Sequence, residues 1–90
     1  MNAFDWDDAN IDHLARHGVI PTEAEDAILD PRRVSAVARS TPTEQRTGIV
    51  GETEAGRLLF VAFTVRQEMI RVITAYDANE RQRRQYRRRR

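Results

Sequence analysis

The spacing of apolar residues changes character about a third of the way along the chain. In residues 9–17, Ile11 and Leu14 lie three apart, with Asn10, Asp12, His13 and Arg16 between and around them. That spacing predicts a short amphipathic helix, and Gly18 suits the left-handed residue that ends one. A second helix opens at Pro21-Thr22-Glu23, where Thr22 and Glu25 have capping-box spacing. Ala24, Ala27 and Ile28 form its apolar stripe, and Asp30-Pro31 ends it, because a residue before proline avoids helical dihedrals.

From there the period is that of strands. Residues 34–39 predict a weak strand, 40–43 a turn, and 46–51 a second strand. After a hairpin turn at Glu54-Ala55-Gly56, the run Leu58-Leu59-Phe60-Val61-Ala62-Phe63-Thr64-Val65 is apolar on both faces, which predicts a central strand. Arg66-Gln67-Glu68 turns into a fourth strand over 69–76, and Asp77, three residues before Glu80, reads as the cap of a last helix. Short connections favour an antiparallel meander. The expected class is therefore α+β: two N-terminal helices, a four-stranded mostly antiparallel sheet and a C-terminal helix. Trp6, Leu14, Ile28, Leu58, Phe60, Phe63, Ile70 and Ile73 are the expected members of one core between helices and sheet.

Ninety residues make one domain, read here as residues 1–86 followed by a disordered basic tail, Arg87–Arg90. No apolar run is long enough for a transmembrane helix, and the acidic N-terminus has no apolar signal core, so a cytoplasmic protein with no membrane partner is expected. Absence of cysteine removes disulfides and zinc-thiolate sites.

Charge is segregated. Residues 1–30 hold eight acids and one arginine, for −7; residues 31–90 hold fourteen arginines and six acids, for +8, and the two recover the net +1. Two electrostatic faces follow, one suited to a polyanion. All fifteen basic residues are arginine. The planar guanidinium favours bidentate phosphate contacts, although genome composition explains the absence of lysine equally well.

The candidate chemistry lies on the strands. Arg71 in the fourth strand and Arg46 in the second can clamp one phosphate if they share a face; otherwise their stems cover the sheet and their charges pair with Glu44, Glu52 or Glu68. His17 is a candidate acid or base, or a cation answering the carbonyls at the end of the first helix. His13, on the same helical face, reads as solvated. Tyr76 either donates a proton, stacks on a base, or closes the sheet by packing. Arg81, Arg83, Arg84 and Arg87 are the expected RNA-binding cations of the last helix and tail. No histidine and carboxylate cluster has metal-ligand spacing, so neither a metal nor another cofactor is expected.

In order along the chain, Phe4-Asp5-Trp6-Asp7, Arg16-His17-Gly18-Val19, Asp30-Pro31, Glu44-Gln45-Arg46, Gly51, Gly56-Arg57-Leu58-Leu59, Ile70-Arg71-Val72-Ile73-Thr74-Ala75 and the helix at Arg83–Tyr86 form a familiar set. The chain resembles the BrnT family, ribonuclease toxins of bacterial type II toxin–antitoxin pairs whose fold is similar to that of RelE. The resemblance implies a metal-independent endoribonuclease that cuts RNA and inhibits translation. It also implies a cognate antitoxin, typically a ribbon-helix-helix DNA-binding protein, joined with the toxin in a hetero-oligomer. The chain departs from the family pattern at Tyr76, where an arginine is usual, and at Gln82, where glutamate is common. Those departures point to the alternative, a catalytically weak relative that binds a partner or nucleic acid through the same scaffold.

Overall fold

A computed structural model describes residues 3–88. The elements run α1 (Asp8–Ala15), α2 (Pro21–Leu29), β1 (Val34–Ala36), β2 (Thr47–Glu52), β3 (Leu58–Arg66), β4 (Met69–Asp77) and α3 (Glu80–Arg88). The four strands form one antiparallel sheet in the order β1-β2-β3-β4. The α+β class and the element order expected from the sequence are those observed.

Local chemistry explains each helix start. Asp7 is the N-cap of α1: its carboxylate accepts from the Asn10 N–H at 3.1 Å while Asn10 Oδ1 accepts from the Asp7 N–H at 2.8 Å. Beyond the helix, Gly18 takes φ +70°, the left-handed conformation expected of it. In α2 the cap lies two residues earlier than Thr22. Pro21 takes the first helical position, and the Glu23 carboxylate accepts from the Ile20 N–H at 3.1 Å. Glu25 is therefore not a capping residue; its carboxylate accepts from the Trp6 indole at 2.7 Å and holds the N-terminal segment to α2.

The expectation of one core is corrected. Apolar residues pack on both sides of the sheet, because β3 is apolar on both faces and each face has a helix to cover it. Leu14, Val19, Ala24, Ala27, Ile28, Ile49, Leu59, Val61, Val72 and Ala75 fill the side under α1 and α2, with Trp6, Phe63 and Ile70 at its margin. Leu58 and Phe60 lie on the opposite side with Val50, Ala62, Ala78 and Tyr86 of α3. Ile73 is only half-buried.

Two contacts hold the layers at short range. At Gly51 the backbone of β2 approaches α2 so closely that a Cβ would lie 2.1 Å from the Ala27 carbonyl oxygen and 2.7 Å from its carbon. On the other face, the buried Tyr86 donates its hydroxyl to Asp30 at 2.6 Å, tying α3 to the end of α2. The cap of α3 is Asn79, paired reciprocally with Gln82 at 2.9 and 2.8 Å. Asp77, expected in that role, still belongs to β4 and instead accepts from Arg57 Nε at 2.7 Å. Helix α3 takes in Arg87 and Arg88, two of the four residues expected in the tail. Cations in a last turn meet the negative end of the helix dipole, which favours such an extension. Arg89 and Arg90 lie outside the described residues.

Gly51→Ala should lower the unfolding free energy by about 1–3 kcal/mol, since helix backbone rather than a movable side chain meets the added methyl. Chemical denaturation checks this, and an unchanged midpoint would mean that α2 lies further from β2.

Candidate active site

A bulge in β4 sets the geometry. Ala62 faces Thr74 and Phe63 faces Val72, which leaves Ile73 as the extra residue between them. Directly opposed residues share a face of a sheet. Arg71 opposite Thr64, Thr74 opposite Ala62, and Tyr76 opposite Phe60 therefore emerge on one side, while Val72 and Ala75 enter the core beneath α1. Strict alternation would have put Arg71 and Tyr76, five apart, on opposite faces. The inserted residue reverses that.

The N-terminal segment then closes one end. Ile70 exchanges backbone hydrogen bonds with it, accepting from the Asp5 N–H at 2.9 Å and donating to the Ala3 carbonyl at 2.8 Å. Asn10, buried, donates through Nδ2 to the carbonyls of Asp5 at 3.0 Å and Val72 at 3.3 Å, so α1 is pinned along β4. His13, one turn along, places Nε2 3.1 Å from Thr74 Oγ1. The expectation of a solvated His13 is thus corrected: the ring is half-buried against β4.

The result is a groove of two adjoining clefts. One, of about 510 Å³, is lined by Asn10, His13, Arg46, Arg71, Ile73 and Thr74 among others. Its neighbour, of about 360 Å³, is lined by Val37, Arg39, Arg46, Phe60, Ala62, Thr74 and Tyr76. Arg46 and Thr74 belong to both. Arg46 lies one residue before β2 rather than within it, with its N–H on Ser40 Oγ at 3.0 Å. Arg46 and Arg71, which could clamp one phosphate only if they shared a face, both line this cleft.

Each is held by acids. Arg71, its side chain only 15% exposed, reaches Asp7 through Nη1 at 3.1 Å and Nη2 at 3.2 Å, and Asp5 through Nη1 at 3.4 Å. Arg46 Nε donates to Glu44 at 2.9 Å, and Arg66 takes the other oxygen of Glu44 at 3.0 Å. The hydrogen bond from Arg71 holds the Asp7 carboxyl below its ordinary range and raises Arg71 in turn. The hydrogen bond from Arg46 does the same to Glu44. The guanidinium groups are thus oriented and largely charge-balanced before any substrate arrives.

His17 does not line either cleft, yet its ring lies 5.4 Å from His13 and 5.7 Å from Tyr76. Of the helical arginines, Arg81 lines a separate hollow with Ala36, Val37, Gln82, Gln85 and Arg88. Val37, 94% exposed, forms the ridge between that hollow and the Tyr76 cleft. Arg83, Arg84 and Arg87 line none of these clefts, and Arg84 pairs with Glu80 at 3.7 Å. Sequence reasoning missed His13, Thr74 and Asn10. For His13 the helical spacing to Leu14 was a usable signal, since the pair straddles the face turned to the sheet.

Residues 6–82, most of the chain, match the family described as ribonuclease toxin, BrnT, of type II toxin–antitoxin system. The chain belongs to that family. Its membership carries a ribonuclease toxin function and an antitoxin partner, and RNA as the substrate. No curated protein matches the chain. Among the described residues no helix is long and apolar enough to cross a membrane.

Asp7, Glu44 and Asp77 are all depressed in the folded state, the last chiefly by the hydrogen bond from Arg57. Groups so shifted add stability that is complete above the ordinary carboxylate range and lost as pH falls from there through their lowered folded-state values. The unfolding free energy should therefore be level above about pH 5 and decline below about pH 4. Asp77→Asn should make that decline shallower in denaturant titrations at several pH values. An identical acid limb would show that the Arg57 pair contributes nothing.

Proposed function

We propose that the chain is a metal-independent endoribonuclease that cuts single-stranded RNA in the Arg46–Arg71 groove and thereby inhibits translation. The observation that carries this reading is the convergence of Arg46, Arg71 and His13 on one cleft. Cleavage without a metal needs a base for the 2′-hydroxyl, cations for the phosphorane and an acid for the 5′-oxygen. Arg71 and Arg46 supply the cations. Arg71 engages the acids through Nη1 and Nη2, and among the described residues its Nε has no partner. A phosphate approaching there meets an oriented donor.

His13 is the better proton carrier of the two histidines, because it faces the same cleft as both arginines and its Nε2 already has Thr74 as a hydrogen-bonding neighbour. His17, one ring further out, acts by bracing His13 and Tyr76. Arg81, Arg83, Arg84 and Arg87 of α3 add diffuse, salt-dependent affinity for RNA rather than chemistry. The family relation supports a cognate antitoxin that covers this basic side, of the ribbon-helix-helix class and joined in a hetero-oligomer. Such a pair belongs in the cytoplasm, where its RNA is.

A second reading has its own support. Acids offset the charge of Arg71 and Arg46, and Tyr76 stands at a position where the family usually has an arginine. A scaffold that binds RNA or a partner but cuts slowly would have these features.

Cleavage assays on a fluorescent single-stranded RNA separate the two. Arg71→Ala should slow cleavage roughly 100- to 1000-fold while changing the melting temperature little, because its partners Asp5 and Asp7 are already substantially exposed. Arg46→Ala should also slow it, and the double variant should lose less than the product of the two. Wild-type cleavage by Arg71→Ala would remove the arginine from the chemistry. Loss of activity in EDTA would overturn metal independence, and no cleavage by the native chain would favour the second reading.

A further inference from the structure

We infer that Tyr76 is the floor of a nucleobase subsite, on which an unpaired base of the RNA next to the cleaved phosphate stacks; the inference rests on the ribonuclease reading of the adjoining cleft. Tyr76 is 38% exposed and lines its cleft, while its cross-strand partner Phe60 is 4% exposed beneath it. The two rings are 5.1 Å apart with their planes 31° from parallel. The His17 ring lies 5.7 Å from Tyr76. A tyrosine that serves only packing buries its ring or bonds its hydroxyl. Tyr76 leaves much of its surface open, and among the described residues its hydroxyl has no hydrogen-bond partner.

The backbone that carries the ring is held in the sheet. The β3–β4 pairing on one side of Phe60 and the β2–β3 pairing on the other hold the aromatic pair in the sheet, so little conformational freedom is lost when a base lands on it. Arg46 and Thr74 line both clefts, so a nucleotide whose phosphate is held by Arg46 and Arg71 has its neighbouring base at Tyr76. Polar groups suited to the edge of that base are present in Arg39 and the Thr74 hydroxyl, and Arg39 forms no ion pair among the described residues. The subsite selects single strands, since a base must leave its helix to present a face to the ring.

The test uses a short 2′-O-methyl RNA, which cannot be cut, carrying 2-aminopurine at one position at a time. The native chain and Tyr76→Phe should bind alike and quench the same position. Tyr76→Leu should abolish that quenching and weaken binding roughly 5- to 150-fold, with the salt dependence unchanged because no phosphate contact is lost. Thermal melts of the three proteins establish that they are folded. Equal binding and quenching by Tyr76→Leu would overturn the subsite while leaving the phosphate cleft standing, which Arg71→Ala on the same RNA reports independently. If Tyr76→Phe failed as Tyr76→Leu does, the hydroxyl rather than the ring face would be the contact, and stacking would be wrong. No binding by the native chain would overturn both the subsite and the ribonuclease reading.

Discussion

A single carboxylate, that of Asp7, closes the first turn of α1 and grips Arg71 on β4. The helix start and the orientation of the site arginine are thereby one interaction rather than two. Asn10 extends the link by answering Asp7 at the cap and holding the carbonyls of Asp5 and Val72. Those Asn10 bonds pin α1 along β4, and the Asp7 carboxylate sets where the Arg71 guanidinium points. His13 reaches Thr74 only because its helix is fixed along β4 at that height. The arrangement also explains why the acid-rich first third of the chain is not merely a solvated counterweight to the basic remainder. Two of its acids orient the cation on which phosphate chemistry would depend.

Helices cover opposite faces of a small sheet, and the groove is what they leave open. Core packing fixes β3 from both sides, so the two central strands form a rigid back wall. The bulge at Ile73 then turns Arg71 and Tyr76 onto that wall together. Charge compensation is the other half of the design. A bare pair of arginines in a partly enclosed cleft would repel each other; Glu44, Asp5 and Asp7 remove that cost while fixing where the N–H groups point. The same acids compete with an incoming phosphate.

Much of this was legible in the sequence, and the exceptions have physical causes. The doubly apolar run at Leu58–Val65 identified a central strand, and the short connections identified an antiparallel sheet. Whether Arg46 and Arg71 share a face was left open by the sequence; both line one cleft, and Tyr76 joins the face of Arg71 only through an inserted residue. Period-two reasoning has no way to register an inserted residue, so the bulge at Ile73 was invisible. Caps were misplaced where two candidates compete. Thr22 has a cap's side chain, but Pro21 already suits the first helical position, and Glu23 reaches back to Ile20. Asp77 has a cap's side chain as well, but pairing with Leu59 and the pull of Arg57 keep it in β4, leaving the role to Asn79. His13 was misjudged because the edge of β4 lies 61 residues away in sequence, and helical spacing alone does not say which polar side meets it.

We propose that RNA phosphate is held by the guanidinium groups of Arg46 and Arg71 in the groove that α1 closes. NMR spectra of the arginine Nε–Hε groups, recorded while an uncleavable 2′-O-methyl RNA is titrated in, test it most directly. The Arg46 and Arg71 signals should move together and saturate at one RNA concentration, while Arg57, held by Asp77, Glu23 and the Gly18 carbonyl, should stay in place. Signals of Arg46 and Arg71 that remain still while those of α3 alone respond would contradict it.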